Sequence, residues 1–199
     1  DDAGKDVKKE KKEKVEFTHE HYALDIETYS VEDGEQLPYL ICVTSIPHDK
    51  TDPEQYNFYG SKCVGDFFSE FFIKIFLRCK NESGLIVHIW TYNGGGFDFR
   101  MLINPLRSVF NAKLVGDACN LKSIKVGHMI EFLDLALWTC PPGEVIDGKV
   151  LRGLDLLAYK CKCSNRKLDF VHSESTLENI EKPDFREKAI VYCTQDCIV

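Results

Sequence analysis

Residues 84–92, GLIVHIWTY, constrain the fold most. A short run that is apolar almost throughout reads as a strand buried on both sides. Such a strand needs a sheet with layers packed over both faces, which a chain of 199 residues can supply as one domain. Residues 62–79 place Phe67, Phe68, Phe71, Phe72, Ile75 and Phe76 at helical spacing, giving a heavy apolar face. A second helix is expected from near Phe97 through Met101 and Leu102 to Pro105. A third covers 150–162, with Leu151, Leu154, Leu157 and Ala158 on one side, and a fourth opens on Pro183 and runs to the end. FTHEHYALDIET, residues 38–46 and residues 56–60 read as strands, with Gly34, Pro38, Pro47 and Pro53 marking turns, and 113–135 reads as a β-hairpin region. The expected class is α/β, a mixed central sheet flanked by helices over 17–199. Residues 1–16 carry six Lys and six Asp or Glu with almost nothing apolar, and read as a solvated tail.

The chain holds 25 basic and 32 acidic side chains, a net charge of -7, which excludes a polybasic nucleic-acid binder. It leaves open a nuclease that gathers carboxylates around cations. Three segments fit that chemistry. In ALDIET, Asp25 and Glu27 sit two apart on a strand, so both point to one face, while Leu24 and Ile26 point to the core. Two adjacent carboxylates repel unless a cation lies between them. In YNGGGFDFRML, Asn93 closes the buried strand, and Gly94, Gly95 and Gly96 allow positive φ and close approach. Asp98 follows in a first helical turn. No Gly-Lys-Ser/Thr follows these glycines, so the segment is not a P-loop, and it fails the Rossmann spacing. In YCTQD, Tyr192 and Asp196 share a helix face at i and i+4. Asp25, Glu27, Asp98 and Asp196 together would suit two hard divalent cations, Mg²⁺ or Mn²⁺. Tyr192 would orient the attacking water. Val191 stands five residues before Asp196, where a histidine variant of the site would need His.

These three motifs, in this order, resemble the 3′–5′ exonuclease domain of family B DNA polymerases, over 17–199. The resemblance implies a ribonuclease-H-like exonuclease fold, metal dependence, and proofreading of single-stranded DNA 3′ ends. A finer resemblance is to the protein-primed subgroup. Lys167, followed by Leu168, Asp169 and Phe170, matches its lysine motif and would stabilise charge at the scissile phosphate. Gly153-Leu154 stands where the subgroup has Ser or Thr before leucine, so Leu154 alone is carried over as a substrate contact. Thr28, Asn93 and Phe97 match positions that contact the 3′ end, while Trp90 and Tyr92 read as structural.

No polymerase motif is present, so the resemblance implies a partner polymerase domain or larger assembly rather than synthesis on this segment. Two other readings fit the same residues: an RNA-processing exonuclease, and an idle scaffold of the same fold. Nine scattered cysteines and a charged N-terminus imply a reducing intracellular compartment rather than secretion. No apolar run is long enough to span a membrane. Cys161, Cys163 and His172 have zinc-ligand character but lack the second half of such a site.

Overall fold

β1 (Thr18–Ser30) alternates as its sequence demands: Tyr22, Leu24 and Ile26 are buried in the main core, and Asp25 and Glu27 face the opposite side. The computed structural model describes residues 16–48, 51–117, 121–139, 143–165 and 167–198, so the expected charged tail, apart from Glu16, lies outside the described residues. β2 (Gln36–Ser45) and β3 (Gln55–Tyr59) extend the sheet antiparallel on one side of β1. β4 (Leu85–Thr91) lies parallel on the other, followed by parallel β7 (Ile130–Asp134). β6 (Leu121–Val126) and β5 (Lys113–Gly116) continue antiparallel. The sheet is therefore mixed, in the order β3-β2-β1-β4-β7-β6-β5. After β7 comes a short helix, α4 (Ala136–Thr139), and a separate hairpin pairs β8 (Glu144–Ile146) with β9 (Lys149–Leu151).

The phenylalanine-rich segment forms α1 (Cys63–Asp66), a π-helical stretch (Phe67–Phe72) and α2 (Ile73–Asn81). The wider π turn buries Phe67, Phe71 and Phe72 together against β1, β4 and β7 side chains of the same core. α3 (Asp98–Phe110) covers the same face. It runs past Pro105 rather than ending there, and Asn111, left-handed at φ 52°, closes it. On the other face α7 (Pro183–Ile198) packs Phe185, Ala189 and Cys193 against Tyr39, Leu40 and Cys42 of β2, with Ile180 from α6 (Leu177–Ile180).

Four further expectations change. β4 alternates, with Leu85, Val87, Ile89 and Thr91 buried and Ile86, His88 and Trp90 only half-buried. The second face of this strand is partly lined by imidazole and indole rings. The 113–135 region is a three-stranded meander whose last strand joins β4. α5 spans only Gly153–Lys160, because β9 takes the residues before it. Pro38 lies within β2, opposite Thr28 at a register shift, where a residue without an N–H is tolerated.

Candidate metal and substrate cleft

Each carboxylate reaches the cleft for a local reason. Strand alternation turns Asp25 and Glu27 toward α7, opposite Cys42 and Leu40 of β2. The register shift after Glu27 bends β1 away just beyond them. Asp98 begins α3, and its Oδ1 accepts the Ile26 amide at 3.0 Å, tying the helix start to β1. Asp196 projects from the last turns of α7, one turn beyond Tyr192.

All four line one cleft of about 540 Å³ together with Thr28, Asn93, Phe97, Lys167 and Tyr192. Leu154 is the exception. It lines a neighbouring cavity of about 800 Å³ that shares Asp25, Tyr92, Lys167 and Asp196 with the cleft. Asp25 and Asp196 thus stand on the wall between two cavities.

Burial governs the electrostatics. It raises Asp25, and the Asp196 charge raises it further. Glu27 is raised by burial, then by Asp25 and Asp196, and Asp98 by burial, then by Asp25. Asp25 Oδ2 and Asp196 Oδ1 are buried and have no hydrogen-bond partner among the described residues. Buried polar atoms are ordinarily satisfied, so these oxygens fit a cation that the chain itself does not supply. The ligand atoms of Asp25, Glu27 and Cys193 lie within 4.8 Å of one another, a group that could hold a metal ion. Burial pushes the Cys193 thiol well up, and its Sγ donates to the Asp25 carbonyl at 3.5 Å, so it is protonated at neutral pH. The Asp25 and Glu27 carboxyls are the oxygen donors of the group.

Lys167 Nζ bonds Asp196 Oδ2 at 2.6 Å and lies 5.3 Å from the centre of the Tyr192 ring. Burial lowers the ammonium pKa, but the bonds to Asp196 and Tyr192 outweigh it and the net direction is up. Phe170 stacks on the Tyr192 ring at 4.7 Å. Burial raises the Tyr192 hydroxyl, which keeps its proton.

Two contributors escape the sequence reading. Asp134, at the end of β7, accepts the amides of Asn93, Gly95 and Ala136, each at 2.9 Å, and so holds the glycine loop in place. The only hint is an acid closing an apolar strand. The loop's positive φ falls on Asn93, at 63°, and not on the glycines. Their need is space: a Cβ on Gly95 would lie 2.0 Å from the Leu121 carbonyl oxygen, and one on Gly94 1.8 Å from Thr91 Oγ1. His172 is the second. Its Nδ1 is 3.7 Å from Glu27 Oε2 and its Nε2 3.5 Å from the Tyr192 hydroxyl. Burial, then the Lys167 charge, lowers its pKa, so it meets Glu27 as a neutral imidazole. It stands with these groups rather than with Cys161 and Cys163.

Among the described residues no helix is long and apolar enough to cross a membrane. No protein-family model matches this chain, and no curated protein matches it.

Proposed function

We propose that the chain is a 3′–5′ exonuclease domain of ribonuclease-H-like fold, resembling those of protein-primed family B DNA polymerases. It would hydrolyse terminal phosphodiesters of single-stranded DNA. The observation that carries this reading is the pair of unpartnered buried oxygens, Asp25 Oδ2 and Asp196 Oδ1. They come from opposite ends of the chain and meet in one cleft with Glu27 and Asp98.

Asp25, Glu27, Asp98 and Asp196 would hold two Mg²⁺ or Mn²⁺ ions, since an all-oxygen set suits hard cations. When bound, such a pair activates water and stabilises the leaving oxygen of an in-line cleavage. Tyr192, protonated and packed by Phe170 and Lys167, would orient an attacking water through its hydroxyl. Lys167 remains cationic and offsets charge on the phosphate. The half-buried Phe97 offers a ring to the terminal base or sugar, and the exposed Asn93 and half-buried Thr28 offer polar contacts beside it. Leu154 would meet the strand in the neighbouring cavity.

One observation favours an idle scaffold instead. Lys167 already neutralises Asp196 at 2.6 Å. A 3′-labelled single-stranded oligonucleotide incubated with Mg²⁺ separates the two. Release of mononucleotides that is lost in Asp25→Ala supports the exonuclease, and no release from the wild-type chain ends it.

A further inference from the structure

Four of the chain's six histidines gather on one patch of the sheet, and none of them lines the carboxylate cleft. His19 and His21 lie on β1, His88 on β4, and His48 beyond β2. They share the face of β1 that carries Asp25 and Glu27, but at its opposite end. The parallel register sets His21 beside His88. His19 Nδ1 lies 3.1 Å from His88 Nε2, with the two rings only 2° from parallel. His21 stacks on His88 at 5.0 Å, and His48 meets His21 edge-on at 5.4 Å. Two of these imidazoles are already tethered: Trp90 Nε1 donates to His21 Nδ1, and His48 Nε2 lies 3.1 Å from the His19 carbonyl oxygen. The nearest carboxylate across the sheet, Glu131 beside His88, is engaged by Ser123 and Lys125.

We propose that His19 and His88 form a site for a borderline transition-metal ion such as Zn²⁺, distinct from the carboxylate cleft, with water filling the open positions. Two nitrogens each about 2.0–2.1 Å from a tetrahedral ion lie roughly 3.3–3.4 Å apart, so the observed 3.1 Å needs a small separation and a turn of the two rings that aims both lone pairs at the ion. The ion takes the place of the proton shared by the two nitrogens: His19, which is exposed, then carries its proton on Nε2, which water can satisfy, and His88 carries its own on Nδ1, which is buried without a partner among the described residues. Burial, then the neighbouring His19, holds His88 neutral and its lone pair available at neutral pH. Imidazole is a poor ligand for Mg²⁺ and a good one for Zn²⁺, so the patch and the cleft would select different ions.

The test is calorimetric titration of the full chain with Zn²⁺ in excess Mg²⁺, for the wild type, His19→Ala and a double Asp25→Asn, Glu27→Gln variant. One Zn²⁺ per chain is expected, retained by the carboxylate double variant and at least tenfold weaker in His19→Ala. Because His19 is exposed, that variant should keep its far-ultraviolet circular dichroism. Co²⁺ at the same site should quench Trp90 emission, whose ring is 6.3 Å from that of His88, and Trp138→Phe removes the other indole from the signal. Zn²⁺ uptake that His19→Ala leaves unchanged, uptake lost in the carboxylate variant, or no uptake at all would each overturn the proposal. None of these readouts depends on exonuclease activity.

Discussion

The two ends of β1 present ionisable groups on the same face, and the protein treats them differently. At the first end His19 is exposed and His21 half-buried beside His88. At the second, Glu27 is buried and Asp25 Oδ2 is cut off from partners. The difference is what covers them. Near Asp25 the strand lies under α7, whose Cys193 reaches the Asp25 carbonyl. The histidines have rings and solvent for neighbours. The same strand alternation therefore yields carboxyls that resist ionisation at one end and a solvent-touched imidazole patch at the other. Burial sets the cost of charge, and alternation only sets its direction.

Removing one carboxylate should have the largest effect. Asp25→Ala should lower single-strand 3′–5′ hydrolysis by on the order of 10³-fold, as for loss of a main electrostatic stabiliser. His19→Ala in the same assay should leave the rate unchanged, and an equal loss in both would show that the two ends act as one site. Next, Lys167→Met and Tyr192→Phe should each cost about 10²-fold in turnover, the usual scale for a positioned proton or charge partner. Steady-state kinetics should place those losses in kcat rather than KM.

Gly95→Ala tests the loop that carries Asn93 and Asp98. Its Cβ meets backbone at Leu121, so we expect a loss of about 1–3 kcal/mol in denaturant unfolding. The metal-free protein should also become less stable as pH rises. Its carboxyls are raised on folding, so their contribution is full below the ordinary carboxylate range of about pH 4. It is lost upward toward the value of about 9 at Glu27. Thermal midpoints in chelator should fall across that window, and Mg²⁺ should flatten the slope by replacing the protons. The histidine end should give no comparable slope above neutrality. The smallest effect is expected at Leu154→Ala, about 1 kcal/mol in binding of a longer single strand, consistent with its place outside the main cleft.

Much of this was legible in the sequence because it depends on local periodicity. The two-residue spacing of Asp25 and Glu27, the four-residue spacing of Tyr192 and Asp196, and the apolar faces of the phenylalanine-rich helix needed no knowledge of distant contacts. Residue contributions made by backbone acceptance were not legible. Asp134 acts only because β7 pairs beside β4, which brings the Asn93 and Gly95 amides to its carboxylate. Of the two reasons the sequence offers for the glycines, close approach holds and positive φ does not, and the backbone that comes against Gly95 is that of Leu121 on another strand.

Which side chains share a face is legible along the chain, because period 2 and period 3.6 follow from backbone geometry alone. The tertiary structure decided which of those faces is dry. Helix α7 returns across β1 and β2 and isolates Asp25 and Asp196 oxygens in one cleft. The same fold leaves His19 in contact with water, and solvation, a property of the assembled layers, decides whether an ionisable row becomes a charge trap or a surface.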